Sequence, residues 1–160
     1  MRVQDLMTPA ISAVGPATPL RDVLLIMLRR HLNDVVVVDH RQSLLGIVTY
    51  SDLCRKLLPT YKDLAEHEEY MQRPESMESR VEEIASLRVD QVMTKHVITV
   101  SPEVEVLKAG AVMIAHGFKQ LPVIQGSKVV GVLSHTDIGW GMLMQYPESM
   151  KSDTSAVSVR

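Results

Sequence analysis

The sequence predicts an α/β protein, of the α+β type, built from two copies of a βαββα unit that pack sheet against sheet. The first observation behind this prediction is an internal repeat. Leu6-Met7-Thr8 matches Val92-Met93-Thr94, and Met27 matches Met113, at a single offset (93 − 7 = 86 and 113 − 27 = 86). A fixed offset of this kind indicates one structural unit used twice.

The second observation is a motif that occurs once in each copy, at residues 46–52 and 131–137. It consists of a glycine, two aliphatic residues, a hydroxyl residue, two further residues and an aspartate. The aspartates match at an offset one smaller (137 − 52 = 85), because the second copy is one residue shorter in the preceding turn. A single unit of about 50 to 60 residues would have a marginal core, so the pair is expected to fold together.

Each copy is predicted to begin with an extended piece, residues 10–14 or 96–100, and to continue into a helix. In the first copy Thr18 is the predicted N-cap and Pro19 the first helical residue. Apolar residues then recur at the spacing of one helix face up to the cationic end at residues 29–31. The helix of the second copy is expected to end at His116-Gly117, since glycine is favoured just beyond a helix.

A β-hairpin follows each helix. The β-branched run 35–38 and residues 44–48 form the first predicted hairpin, across the polar turn 39–43. Residues 121–124 and 129–133 repeat it in the second copy. A second helix is then expected to start near Ser51 and near Thr136, directly after the hydroxyl residue of the motif.

These elements divide the chain into residues 1–58 for repeat 1, 59–87 for a connector, 88–146 for repeat 2 and 147–160 for a polar tail. The connector carries many charges and is predicted to form one or two short helices interrupted at Pro74. Within it His67 has carboxylates beside it, but no second histidine follows at helical ligand spacing, so a solvated helix is expected and no metal site.

Composition narrows the classes of function. Hydrophobic residues make up 46% and charged residues 22% of the chain, with a net charge of −2, so nucleic acid is not an expected partner. Cys54 is the only cysteine, which excludes an internal disulfide. No apolar run approaches the length that crosses a bilayer, and a cytoplasmic protein without membrane insertion is expected.

The doubled Met-Thr segment, the helix with a central methionine, the strand Leu121–Ile124 and the doubled hydroxyl-x-x-Asp motif together resemble a tandem pair of CBS (cystathionine beta-synthase) domains. The resemblance implies a Bateman module, here a stand-alone one: two repeats related by a pseudo-twofold axis, with two clefts that bind AMP, ADP, ATP or S-adenosylmethionine. It also implies a homodimer that regulates a partner protein of unknown identity and needs no catalytic cofactor.

The resemblance further implies roles for the motif residues. The aspartates, Asp52 and Asp137, would accept hydrogen bonds from ribose hydroxyls, and the hydroxyl residues, Thr49 and Ser134, would reach a phosphate. Because each cleft in the family combines the motif of one repeat with the early strand of the other, two ligand-binding sets are predicted. Site 1 comprises Thr8, Ile11, Leu32, Lys119, Ser134 and Asp137, and site 2 comprises Asn33, Thr49, Asp52, Thr94, Val97 and Phe118.

The two sites are not expected to be equivalent. Lys119-Gln120 precedes the first hairpin strand of repeat 2, whereas Asn33-Asp34 stands at the same place in repeat 1. A lysine attracts a phosphate and an aspartate repels it. Site 1 is therefore predicted to bind the phosphorylated nucleotide more tightly, and site 2 to bind it weakly or to take a less charged adenosine compound.

Three other interpretations stay open at this stage. Thr49, Ser51 and Ser134 could simply cap their helices, with the aspartates favouring the helix dipole. His135 or Cys54 could take part in catalysis, although neither belongs to a motif with a positioned third partner. The pair could also be a structural dimerisation module without a physiological nucleotide.

Overall fold

A computed structural model describes residues 1–9, 11–66 and 74–144. Its helices and strands form two compact units, and each unit combines segments that are separate in the sequence. Among the described residues, unit 1 contains 1–9, 98–126 and 130–144, and unit 2 contains 11–66, 74–97 and 127–129. Residues 1–9 thus belong with the second repeat, and residues 88–97 belong with the first.

Unit 2 holds a three-stranded sheet in the order β1-β2-β3, from Ala13–Val14 (β1), Asp34–Val38 (β2) and Leu44–Thr49 (β3). β1 pairs with β2 in parallel and β2 pairs with β3 in antiparallel fashion. Its helices are α1 (Leu20–Arg30), α2 (Tyr50–Leu57), α3 (Tyr61–Glu66) and α4 (Pro74–Ser86). A short 3₁₀ turn, Val89–Gln91, follows α4.

Side chains of β2 alternate between two apolar clusters, as the period of a strand requires. Val35 and Val37 pack with Val48 and with the apolar face of α1 in the main core of unit 2. Val36 and Val38 belong to a second cluster on the other face, with Val129, Ile11 and Leu44. Both faces of β2 are buried, which explains why its sequence is a continuous β-branched run.

Unit 1 contains a 3₁₀ turn, Val3–Asp5, the helix α5 (Val106–His116), the strands β4 (Gln120–Gln125) and β5 (Lys128–Ser134), and the helix α6 (His135–Met144). The first two residues of β5, Lys128 and Val129, belong to unit 2. β4 and β5 form a two-stranded sheet. The core of unit 1 is aliphatic with one central methionine, Met113, matching Met27 in unit 2.

The mixed α/β fold and both hairpins are confirmed. The first helix of each repeat ends as predicted, with His31 and Gly117 in the left-handed conformation at φ 54° and 69°. Of the predicted connector, α3 and α4 are described, whereas His67 and the polar tail 147–160 lie outside the described residues.

Two details of the prediction are wrong. Pro19 is the N-cap residue and α1 begins at Leu20, because the Thr18 carbonyl accepts the Val89 N–H (2.8 Å) and holds this stretch extended. The predicted strand at residues 96–100 is reduced to one parallel bridge between Val100 and Val123. Only Val100 of that stretch exchanges backbone hydrogen bonds with β4, to Pro122 and Ile124.

Candidate functional site

The motif of unit 2 lies where β3 ends and α2 begins. Asp52 Oδ2 accepts the Thr49 N–H (2.9 Å) and the Thr49 hydroxyl (2.7 Å), while the Asp52 N–H donates to Thr49 Oγ1 (3.2 Å). These contacts form a capping box, which satisfies backbone donors at the start of a helix. The second carboxylate oxygen, Oδ1, lies 3.8 Å from the largely exposed guanidinium of Arg55.

The motif of unit 1 repeats this geometry between β5 and α6. Asp137 Oδ2 accepts the Ser134 N–H and hydroxyl (both 2.7 Å), and the Asp137 N–H donates to Ser134 Oγ (3.1 Å). Within the part of the chain that the structure describes, no group donates to Asp137 Oδ1. Each motif therefore fixes one carboxylate oxygen internally and leaves the other oxygen available to a ligand.

The glycine that opens each motif allows another segment to approach the strand closely. A Cβ on Gly46 would lie 2.7 Å from both Met93 Sδ and the Thr94 carbonyl oxygen. The Ile47 and Thr94 backbones exchange two hydrogen bonds there, of 3.0 and 2.8 Å. The motif of repeat 1 is thus joined to the Met-Thr segment of repeat 2.

The same exchange occurs in unit 1. A Cβ on Gly131 would lie 2.8 Å from the Thr8 carbonyl oxygen and 3.1 Å from Met7 Sδ. Thr8 and Val132 exchange backbone hydrogen bonds of 2.9 and 3.0 Å. In each unit, the motif glycine of one repeat is in contact with the Met-Thr segment of the other repeat. The sequence showed the glycine and the Met-Thr segment only as two separately repeated features. Their shared duplication was the signal that could have linked them.

The structure brings together four of the six residues predicted for site 1. Thr8 is joined to β5 as described, Ser134 and Asp137 share the capping box, and the Lys119 carbonyl accepts the His135 N–H (3.1 Å). The remaining two belong to unit 2. There Ile11 packs on the Val36 cluster, and Leu32 packs against the main core.

Four of the six residues predicted for site 2 are likewise held near one another in unit 2. Thr49 and Asp52 form the capping box, Thr94 pairs with Ile47, and the Asn33 carbonyl accepts the Tyr50 N–H (2.7 Å). Val97 is a partly buried residue of the same unit. Phe118 belongs to unit 1, where its ring stacks on His116 at a centroid distance of 5.3 Å.

The capping boxes change what the motif hydroxyls can do. A serine or threonine hydroxyl has one proton, and here Thr49 and Ser134 donate it to the aspartate. A phosphate offers acceptors, so the hydroxyl would have to release the carboxylate to donate to it. Thr49 and Ser134 do cap their helices, whereas Ser51 is not a capping residue. The aspartates keep capacity for a ligand, because a carboxylate has about four lone-pair sites.

The burial of Asp34, beside the unit 2 motif, could not be predicted from the sequence. This aspartate lies at the start of β2, directly opposite Thr49 of β3, and is only 9% exposed. Burial disfavours the charged carboxylate and raises the pKa of Asp34 from 3.8 to about 6. Nothing in the residue pattern distinguishes this buried carboxyl from the surface aspartates.

A surface pocket of about 540 Å³ lies beside the unit 1 motif. Asp137 and Trp140 of α6 line it, together with Met1, Asp5, Leu6, Gly141 and Met144. Its volume is in the range of small-molecule sites. Thr8 and Lys119 are not among the lining residues, and Trp140 was not predicted to take part.

Comparison with known proteins now identifies the family. The sequence model of the CBS domain matches residues 3–59 and 89–138, which is more than half of the chain and includes both motifs. The chain belongs to the CBS domain family. Its two matches correspond to the two repeats, so the protein contains a tandem pair of CBS domains.

Several proteins resemble this CBS pair. Homoserine O-acetyltransferase of Methanocorpusculum labreanum is 26% identical over 91% of the chain, but the chain spans only 25% of that protein. The structure of CBSX2 in complex with AMP superposes with a TM-score of 0.70 and 21% identity, covering 90% of this chain and 97% of that one.

A third relative is the CBS domain pair of protein MJ0100 in complex with 5′-methylthioadenosine and S-adenosyl-L-methionine. Its TM-score is 0.65 at 18% identity, with 91% and 98% of the two chains covered. At these identities the structural likenesses establish the CBS fold. In the described ranges, none of the helices has both the length and the apolar character needed to cross a bilayer.

Proposed function

We propose that this CBS pair is a regulatory module that binds adenosine-type ligands: AMP, ADP, ATP or S-adenosylmethionine. The observation that carries the proposal is the repeated geometry of the two motifs. In each, one aspartate oxygen is fixed by an N–H and a hydroxyl, which orients the other oxygen. A carboxylate oriented in this way suits the paired hydroxyls of a ribose.

The ligand class is supported by the relatives. CBSX2 was solved with AMP, and the MJ0100 pair with 5′-methylthioadenosine and S-adenosyl-L-methionine. All three ligands share an adenosine group and differ at the 5′ position. In unit 1, the pocket beside Asp137 offers the indole of Trp140 as a surface on which an adenine could stack.

The two sites are proposed to differ in the ligand that they prefer. Lys119 is exposed, and its carbonyl accepts the backbone N–H of His135 in the unit 1 motif. The residue beside it, Gln120, is neutral. In unit 2 the corresponding residues are Asn33 and buried Asp34. A phosphorylated nucleotide is therefore assigned to the Asp137 motif, with weaker phosphate binding at the Asp52 motif.

A regulatory role is favoured over catalysis. The capping boxes account for the hydroxyl and carboxylate pair of each motif, Thr49 with Asp52 and Ser134 with Asp137. We propose that the protein is cytoplasmic and regulates a partner protein. The adenosine compound would be a regulatory ligand and not a catalytic cofactor. Regulation then requires that the ligand bind two states of the module with different affinity.

The proposed assembly is a homodimer. Large apolar side chains are exposed at equivalent positions of the two repeats. Leu28 of α1 is 71% exposed, and its equivalent Ile114 of α5 is 77% exposed. A second such pair is Leu58, directly after α2, and Leu143 of α6. A repeated apolar surface is complemented by a second copy of the same surface. A dimerisation module without a nucleotide is the second candidate, since both capping boxes are complete without a ligand.

Isothermal calorimetry with AMP, ATP and S-adenosylmethionine tests the proposal on the wild type, Asp137→Ala and Asp52→Ala. AMP binding should fall at least tenfold in Asp137→Ala and less in Asp52→Ala. Trp140 is the only tryptophan of the chain, so its fluorescence should report ligand binding in unit 1. Equal losses in the two variants would reject the asymmetry, and a wild type that binds none of the compounds would reject the adenosine function.

A further inference from the structure

The side chain of Asp34 lies on the sheet face of unit 2 that carries Thr49. Residues directly opposite each other in an antiparallel pair project to the same face, with Cβ atoms about 4.5–5.5 Å apart. Asp34 and Thr49 are such a pair. On the same face, two residues along β2, is Val36 of the second apolar cluster, whereas Val35 and Val37 point into the main core.

This placement leaves a largely buried residue whose carboxylate oxygens still reach solvent, since Asp90 Oδ1 is the one fully buried side-chain atom without a hydrogen bond among the described residues. Asp34 is the one charged residue among the buried polar positions of the described chain. None of the described residues donates a hydrogen bond to its carboxylate or forms an ion pair with it. Burial of a carboxylate without a partner is costly, and native proteins usually provide a donor or a cation for it.

The two motifs differ in the charge around them, because only repeat 1 has an aspartate at this position. In unit 2 the capping-box residue Thr49 is bonded to the carboxylate of Asp52 and is opposite a second acidic residue, Asp34, in the strand ladder. Arg55 is the nearby cation, but it is largely exposed and lies against Asp52 Oδ1. In unit 1 the residue equivalent to Asp34 is neutral Gln120 (34 + 86 = 120), and the cation Lys119 precedes it.

We infer that Asp34 is a specificity residue, which selects for the unit 2 site an adenosine ligand with a cationic 5′ substituent and excludes one with a phosphate. A sulfonium or an ammonium group on that substituent would pair with this carboxylate, to which no described residue donates. A phosphate in the same position would meet a second negative charge. This inference rests on the proposed adenosine function, since it concerns the substituent and not the nucleoside.

Calorimetry on Asp137→Ala, in which the unit 1 motif is disabled, isolates the unit 2 site. The probes are S-adenosylmethionine, which is cationic at the 5′ substituent, 5′-methylthioadenosine, which is neutral there, and AMP, which is anionic. S-adenosylmethionine should bind most tightly and AMP most weakly. Adding Asp34→Asn, which keeps the shape of the side chain, should reduce the preference for S-adenosylmethionine over AMP by at least about tenfold, the usual effect of one charge-assisted contact.

A second variant, Asp34→Gln, gives unit 2 the residue that unit 1 already has, and should shift the preference in the same direction. An unchanged ratio of the S-adenosylmethionine and AMP affinities in both Asp34 variants would overturn the inference while leaving the adenosine function in place. If the wild type binds none of the three probes, the proposed function itself fails.

Discussion

Asp34 lies directly opposite Thr49 in the antiparallel ladder of β2 and β3, and this pairing places a buried carboxyl beside a motif that already contains a carboxylate. The equivalent place in the other repeat is occupied by Gln120. The duplicated motifs are therefore alike in their capping geometry and different in the charge that a ligand would meet. Function and stability should both depend on this one difference.

Replacing Asp34 with asparagine should stabilise the protein in a pH-dependent way. The pKa of Asp34 is raised from 3.8 to about 6 by burial, so between these values the folded state binds more protons than the unfolded state, and stability falls as pH rises. Above pH 6 the full penalty applies, about 3 kcal/mol at most. The charged groups of α2 near this position are Asp52 and Arg55.

Urea unfolding at several pH values measures this effect. The gain in unfolding free energy of Asp34→Asn over the wild type should be near zero at about pH 3, below both pKa values, and should reach its maximum by about pH 7. Asp39 provides the opposite control, because N–H donors of Ser43 and Arg41 lower the pKa of its carboxyl. Asp39→Asn should lose stability relative to the wild type as pH rises through the acidic range. A gain for Asp34→Asn that does not vary with pH would contradict the assignment.

Replacing either motif glycine with alanine should destabilise the protein by about 1–3 kcal/mol, the cost of overpacking. The new Cβ at position 46 or 131 would meet the carbonyl oxygen of Thr94 or Thr8 at 2.7 or 2.8 Å, and a backbone atom cannot move aside cheaply. Gly139 lies in α6 with open space around it, so Gly139→Ala should be neutral or stabilising. Thermal unfolding of the three variants checks this. Equal tolerance at all three positions would refute the close approach.

Replacing Thr49 with valine should cost about 1 kcal/mol, because the hydroxyl caps α2 and orients Asp52. Thr49→Ser keeps the hydroxyl and is the matched control. Chemical denaturation measures the stability, and calorimetry measures ligand affinity in the same variants. If Thr49→Val bound ligand as tightly as Thr49→Ser, the hydroxyl would have no role in orienting the carboxylate.

Paired substitution of Leu28 and Ile114 with glutamate should shift the protein from dimer to monomer. Both side chains are highly exposed at equivalent positions, and a buried glutamate without a partner disfavours an apolar interface. Sedimentation velocity gives the oligomeric state. Arg29→Glu, another charge change in the last turn of α1, is the control and should change the state less. A monomeric wild type would remove the basis of the proposed homodimer.

Much of the fold was predictable because its signals are local or duplicated. The apolar spacing of residues 20–28, the β-branched run of β2 and the glycine after α5 each indicate an element within a few residues of sequence. The weak element, residues 96–100, could not be judged in this way. Whether an extended stretch becomes a strand depends on how many backbone groups a distant partner offers, and here β4 pairs only with Val100.

The candidate sites were predictable in part for the same reason. The motif residues repeat, so Thr49, Asp52, Ser134 and Asp137 are visible in the sequence. The burial of Asp34 is not, since it depends on how completely β2 is covered on both faces. The pocket beside Trp140 also depends on a segment more than a hundred residues away, including Leu6 packed against Gly141. Such long-range packing has no local sequence signal.

Native mass spectrometry of the freshly purified protein tests the central claim most directly, because it reports the assembly and any retained small molecule together. The account predicts a dimer that carries adenosine compounds, or that takes them up when AMP and S-adenosylmethionine are added. The two compounds should occupy different sites and be bound at the same time. A protein that carries no adenosine compound and binds neither on addition would contradict the account.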